Sequence, residues 1–208
     1  VRVLVTAGPT REPIDPVRFL SNHSSGRMGY ALARALLAVG HEVVLVSGPV
    51  ALRPPKGAQL ELVETAQEML SACRRLWKDC DGLIAVAAVA DYRPTQCSQK
   101  KLKMQAGEGR VLELIPNSDI VQTLAAKKGG RKVVGFALES GSGHEEALRK
   151  LKAKHLDWVV LNHPEAQGAR QASLTLLDAF GGVQKKGPSA KTSLARWLVQ
   201  QTFPSSLE

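Results

Sequence analysis

The stretch Ser21–Gly40, SNHSSGRMGYALARALLAVG, begins with small polar residues and ends as a helix-periodic apolar pattern. Ser24, Ser25 and Gly26 directly precede that pattern. Two hydroxyls and free backbone N–H groups would therefore converge at the positive end of a helix, a geometry that suits a phosphate. The same residues also make a plain N-cap with a tight turn, and spacing alone does not separate the two readings. Asn22, just before them, is either a turn former or a hydrogen-bond partner for a reacting acyl group. His23 receives no catalytic role, because a loop histidine is more often exposed or structural.

Three further groups have residue types capable of chemistry. In AAVADYRP (Ala87–Pro94), small alanines permit close approach of a ligand, and Asp91 can accept from a sugar or base or simply pair with Arg93. In KKLKMQ, Lys101 and Lys103 would face one side of a strand. They read either as a solvated basic edge or as a mobile cationic clamp over phosphates. Lys150 and Lys154 stand i, i+4 on one helical face, with Glu146 as an ordinary partner for Lys150.

Five short apolar runs must position these groups: Val1–Ala7, Glu42–Gly48, Gly82–Ala90, Lys132–Leu138 and Asp157–Asn162. Their nearly continuous apolar character predicts parallel strands covered on both faces. Helical patterns alternate with them. Met28, Ala31, Leu32, Ala35 and Leu36 form one stripe, Thr65 precedes AQEMLSACRRLW, and Asp119–Lys127 and Glu145–Lys154 follow. The alternation predicts an α/β fold with a doubly wound, mainly parallel sheet. Two segments break it. Residues 95–115, with AGEG between two alternating flanks, predict a hairpin or flap, and residues 172–186 predict a second hairpin. A last helix over Ala190–Gln201 would be capped by Ser189. Residues 1–208 read as a single domain, and a start at Val1 fits a segment of a longer polypeptide.

The composition narrows the function classes. The chain carries 208 residues and a net charge of +9, with only 4% aromatics. Surplus Lys and Arg without aromatic interleaving fit a pocket for several phosphates better than a nucleic-acid surface. No apolar run approaches the roughly 20 residues of a membrane span. Cys73, Cys80 and Cys97 are odd in number and contain no C-x-x-C, which argues against a disulfide framework or zinc site and suits a reducing cytoplasm.

At this point the residues resemble a known family. VLVTAGPTREPIDPVRFLSNHSSGRMGYALA is similar to the opening of the phosphopantothenoylcysteine synthetases. LVSGPV, AAVADYRP, KLK, NSDI, VVGFALES and KLKAKHLDWVVLN follow in the family's order, so the likeness is dense over roughly residues 1–162. The resemblance implies a Rossmann-like fold, a cytoplasmic homodimer, and a frequent fusion behind a flavin-dependent decarboxylase. It also implies a ligase of coenzyme A synthesis that joins phosphopantothenate to cysteine. CTP activates the substrate carboxylate as an acyl-cytidylate with loss of pyrophosphate, and the cysteine amine then displaces CMP. Mg²⁺ accompanies the triphosphate.

The same resemblance distributes roles. Asn22 and Lys101 would be catalytic, Asn22 at the acyl centre and Lys101 as a preplaced cation on a flap that excludes water. Arg18, Ser24, Ser25, Gly26 and Ala88 would bind phosphopantothenate. Gly8, Ala87, Asp91, Asn117, Ser118, Asp119, Ile120, Phe136, Lys150 and Lys154 would bind CTP. The metal ligands stay unassigned.

Three departures stand out. Met104 replaces a frequent lysine, Ser118 a common proline, and HPEAQGARQ after Asn162 the family's usual Asp- and Phe-containing stretch. Two rival readings fare worse. A nicotinamide oxidoreductase needs a tight glycine loop after the first strand and an acid after the second, which TAGPTRE and LVSGPV lack. A non-catalytic nucleic-acid or nucleotide-binding module explains the charge but gives Asn22 and Lys101 no joint role.

Overall fold

The computed structural model describes residues 1–103, 109–138, 143–162 and 171–205. Strand β1 (Arg2–Ala7) is buried along almost its whole length, and its apolar side chains alternate between two cores. Val3 and Val5 meet the face covered by α1 (Arg27–Ala38), and Leu4 meets the opposite face. Two short pieces, β2 (Arg11–Pro13) and β3 (Phe19–Ser21), form an antiparallel hairpin between β1 and α1. The chain continues through β4 (Glu42–Ser47), β5 (Gln59–Leu62), α2 (Ala66–Trp77), β6 (Gly82–Ala85) and β7 (Tyr92–Pro94). It then forms β8 (Leu114–Pro116), α3 (Ile120–Ala125), β9 (Lys132–Leu138), α4 (His144–Ala153) and β10 (Trp158–Asn162). Last come β11 (Gln171–Asp178), β12 (Val183–Ala190) and α5 (Lys191–Thr202).

The main sheet has the order β12-β11-β10-β9-β6-β1-β4-β5. All neighbours from β10 to β5 pair in parallel, and β11 and β12 add an antiparallel edge. This is the predicted Rossmann-like, doubly wound, mainly parallel sheet. From β1 the chain runs outward through β4 and β5, then returns to place β6 on the other side. The resulting switch point lies between β1 and β6, where open α/β sheets bind ligands beyond the strand carboxyl ends. Helices α2, α3 and α4 cover one face, and α1 and α5 cover the other. These two start at a shared cavity, which Arg27 and Lys191 both line. They end together, where His41 Nε2 donates to the Phe203 carbonyl at 2.9 Å.

Several expectations need correction. The run Gly82–Ala90 is strand only to Ala85. Beyond it the regular ladder stops: the Thr6 and Thr10 hydroxyls accept the N–H groups of Ala87 and Ala90, and only an isolated parallel bridge between Pro9 and Ala88 continues the pairing. In residues 95–115 the described part of KLKMQ, Lys101–Lys103, does not pair with RVLELI. The antiparallel ladder lies at the base, Tyr92–Pro94 with Leu114–Pro116, and residues 95–103 are irregular, so Lys101 and Lys103 share no strand face. Met104 lies outside the described residues, as does most of HPEAQGARQ. Ser189 does not cap α5, since it pairs with Ala172 within β12, and Ala190 takes the cap position without a side-chain bond. The second predicted hairpin does form, from β11 and β12. Cys73, Cys80 and Cys97 are all free thiols.

Candidate functional site

A cavity of about 600 Å³ opens at the switch point. Its floor is two backbone segments stitched together. Ala88 N donates to the Gly8 carbonyl at 2.9 Å, Thr10 N donates to the Ala88 carbonyl, and Thr6 and Thr10 hold Ala87 and Ala90 as described. Asn22 lines the cavity, and its Nδ2 donates to the same Ala88 carbonyl at 2.9 Å. Asn22, Ala87 and Ala88 thus belong to one hydrogen-bonded assembly built from three chain segments. Gly8, at φ 75°, makes the turn out of β1 and holds Ala88 from below, but is not among the lining residues.

The start of α1 forms the second wall. Gly26 takes the cap position at φ 72°, with no side-chain bond to the helix, and the first turn carries no acid. Ser24 Oγ accepts from the Gly26 N–H at 3.3 Å, outside the helix proper. A side chain at Gly26 would meet Val50 Cγ1 at 2.7 Å, and one at Gly29 would meet Ala7 Cβ at 2.5 Å. Gly29 lets the helix start press against β1, and Gly26 lets it press against Val50 in the loop after β4. The plain N-cap alternative is therefore not what forms, and the first-turn N–H groups of α1 have no side-chain acceptor.

The third wall combines Asp91, Asn117, Ser118, Asp119, Ile120, Phe136 and Lys154. Asn117 is a brace, donating to the Ala90 carbonyl at 2.9 Å and accepting from Arg93 at 3.0 Å. Arg93 is committed there and to the Pro116 carbonyl, so of the two roles open to Asp91 the pair with Arg93 is not the one that forms. Asp119 caps α3 through the Gln122 N–H at 2.8 Å and pairs with Lys154 at 2.6 Å. Lys150 lies 3.7 Å from Glu146 and is not among the lining residues.

Two expected residues lie elsewhere. Arg18 is bound to the Asp15 carboxylate and the Leu102 carbonyl, away from the cavity wall. Lys101 is exposed on the irregular segment beside Leu102 and also does not line the cavity.

The structure adds residues that the sequence reading passed over. Thr6 and Thr10 set the floor, and Arg27, Lys191 and Asn162 reach the wall. Burial and the neighbouring Arg27 charge hold Lys191 below the ordinary lysine range. Arg27 could have been noticed directly after Gly26. Lys191 could not, because only the packing of α5 beside α1 brings it there. Burial pushes the thiols of Cys73 and Cys80 up to about 12 and about 11, which removes them as nucleophiles. Among the described residues no three His, Cys, Asp or Glu side chains converge as a metal-binding group. No described helix is long and apolar enough to cross a membrane.

Known proteins match this arrangement closely. The coenzyme A biosynthesis bifunctional protein CoaBC of Bacillus subtilis strain 168 is 46% identical over 168 residues, covering 80% of this chain and 41% of that protein. A protein named cysteine/cysteine sulfinic acid decarboxylase, from an unknown prokaryotic organism, is 43% identical over 206 residues, covering 96% of this chain and 57% of that one. The chain therefore spans roughly half the length of these relatives. The crystal structure of the C-terminal domain of a CoaBC protein superposes with a TM-score of 0.83 at 40% identity, over 96% of this chain and 92% of that one. The family model for the DNA/pantothenate metabolism flavoprotein C-terminal domain matches residues 1–204. That match takes in every wall of the cavity, from Thr6 to Lys191, and the chain belongs to this phosphopantothenoylcysteine synthetase family.

Proposed function

We propose that the chain is a phosphopantothenate–cysteine ligase that uses CTP. The observation that carries this reading is the uncapped start of α1, flanked by Arg27 and Lys191, in the same cavity as Asn22 and Ala88. Phosphoryl groups fit the first end, and an acyl centre fits the second. In the first step a substrate carboxylate oxygen attacks the α-phosphorus of CTP, and pyrophosphate leaves. In the second the cysteine amine attacks the acyl carbon, and CMP leaves while the amine gives up its proton.

The chain's residues would divide this work. Ser24, Ser25, the Gly26 turn, Arg27 and Lys191 hold phosphoryl oxygens. Asn22 orients the acyl centre through its carboxamide. Asp91, Asn117, Ser118, Asp119, Ile120, Phe136 and Lys154 receive the nucleotide, with Ala87 and Ala88 leaving room for close approach. Lys101 reaches over the bound substrates and stabilises charge that grows on phosphate and carbonyl oxygens. Mg²⁺ bound on the triphosphate would neutralise its charge, with phosphate and water oxygens as ligands and Asp91 as a nearby carboxylate. We place this activity in the cytoplasm, in a homodimer, and as one half of a protein whose other half is a flavin-dependent decarboxylase. The bifunctional name and greater length of the Bacillus subtilis relative support that last part.

The decisive assay follows pyrophosphate release from CTP with phosphopantothenate and Mg²⁺, with and without cysteine. Release that requires phosphopantothenate, with CMP and the cysteine adduct formed when cysteine is added, is expected. Asn22→Ala and Lys101→Gln should each lower turnover at least ~100-fold with an unchanged melting temperature, since both side chains are exposed. Wild-type turnover in both variants would remove these two residues from the mechanism.

A further inference from the structure

Asp15 is an acid with almost no exposure, 3%, in a loop with no assigned role. A buried carboxylate is costly unless donors surround it. Here they do. Asp15 Oδ1 accepts from the N–H groups of Val17 at 2.8 Å and Arg18 at 2.9 Å. Oδ2 accepts from the Arg18 guanidinium and from the Leu102 N–H, the latter at 3.0 Å. The same guanidinium donates to the Leu102 carbonyl. Four residues before Leu102, the Ser98 N–H reaches the Ile14 carbonyl at 3.0 Å.

The geometry of these bonds is specific. Asp15 and Arg18 grip both polar groups of one peptide residue, Leu102, which immediately follows Lys101. Their own loop is the tip of the β2–β3 hairpin, whose other end runs through Ser21 into Asn22. Ser21 Oγ anchors that end on the Thr10 carbonyl. One ion pair, with a buried carboxylate and a half-exposed guanidinium, thus connects the segment that carries Asn22 with the segment that carries Lys101. The Arg18 contact, with backbone N–H groups adding to it against the effect of burial, holds the Asp15 carboxyl well below the usual carboxylate range. The same contacts that hold Leu102 thus favour the charged form of Asp15.

We propose that Asp15, with Arg18, is a positioning residue that fixes the peptide at Leu102 and so sets Lys101 at its working distance from Asn22. Lys101 then extends from a held pivot, and only its side chain need move when substrate binds. Nothing in this role requires Asp15 or Arg18 to touch substrate. It also explains why Arg18 is not in the cavity wall. The inference rests on Lys101 acting in the ligase reaction proposed above, so its test has one arm that does not involve the reaction.

In that arm, amide hydrogen exchange is compared between the wild-type chain and Asp15→Asn without substrates. Exchange at Leu102 and Ser98 should quicken at least ~10-fold, with the core strands unchanged. In the second arm, Asp15→Asn should lower kcat at least ~10-fold with KM for CTP and phosphopantothenate held within about twofold. Added to Lys101→Gln, it should cause no further loss, measured at high enzyme concentration. If Asp15→Asn does not fold, Arg18→Ala takes its place in both arms. Unchanged exchange at Leu102 overturns the clamp. Faster exchange with wild-type kcat, or losses that multiply independently of Lys101→Gln, overturns the positioning role. If Lys101→Gln keeps full turnover, the catalytic assignment of Lys101 has failed, and the positioning role with it; the exchange result still decides whether the clamp exists.

Discussion

Helices α1 and α2 begin in opposite ways. At α2, Thr65 Oγ1 accepts from the Glu68 N–H at 3.1 Å, Glu68 reaches back to the Glu64 N–H at 2.7 Å, and the buried Glu12 carboxylate accepts from Ala66 N at 2.9 Å. Side chains thus meet the Ala66 and Glu68 N–H groups of its first turn, and three acids or hydroxyls face its positive end. At α1 there is a glycine cap without a side-chain bond, no acid in the first turn, and Arg27 as the first helical residue. A missing cap typically forgoes about 1 kcal/mol, and a cation at a helix N-terminus opposes the macrodipole. The start of α5 next to it is built the same way, with no side-chain cap, no acid and Lys191 first. The start of α4 also has a glycine cap without a side-chain bond, but Glu145 and Glu146 stand in its first turn; among the described helices only α1 and α5 combine a missing cap with a leading cation and no acid, and both of those starts lie at the cavity. The contrast separates helix starts that serve stability from those kept for an anion.

Giving α1 the chemistry of α2 should have the largest effect. Ser25→Asp would place a carboxylate at the α1 start, where it should leave the melting temperature unchanged or higher. Pyrophosphate release should nevertheless fall at least ~100-fold, because the new charge repels phosphoryl groups. Full turnover in this variant would mean that phosphate does not bind there. A smaller effect is expected from Lys191→Gln, which keeps length and polarity but removes one cation. It should raise KM for phosphopantothenate or CTP roughly tenfold with kcat little changed, and the substrate affected identifies whose phosphate Lys191 meets. The reciprocal change, Thr65→Ala at α2, should cost about 1 kcal/mol of stability in denaturant unfolding and leave both kinetic constants alone. A change in kinetics there would dissolve the distinction between the two helix starts.

The pattern that could be read without coordinates was local. Strands β1, β4, β9 and β10 lie within a residue or so of the apolar runs that announced them, and Met28, Ala31, Leu32, Ala35 and Leu36 are all buried as their spacing required. The helix α2 pattern after Thr65 was equally visible, and Thr65 caps it. What was missed depends on distant partners. Strand β5 is four residues, QLEL, half polar and at the sheet edge, so it carries almost no period. The run after Ala85 looks like strand until the Thr6 and Thr10 hydroxyls are in place to take two of its N–H groups, which leaves only the Pro9–Ala88 bridge of the ladder. Arg18 resembles a phosphate ligand by charge alone, because nothing near it in sequence tells that its guanidinium is taken up by Asp15 and a carbonyl from Leu102. Asn22, Ser24, Ser25, Ala87, Ala88 and Asp119 do converge in one cavity, whereas Lys101 and Lys150 stand outside its wall.

The side-by-side packing of α1 and α5 has a consequence for how the molecule is made. Leu194, Ala195, Leu198, Val199 and Phe203 belong to the same apolar cluster as most of the buried face of α1. On a ribosome adding about 5–20 residues per second, α1 would leave the tunnel on the order of ten to thirty seconds before α5. Throughout that interval the nascent chain carries an uncovered apolar stripe beside β1. Newly made chains should therefore bind a holdase chaperone until α5 emerges, and be released as it packs against α1.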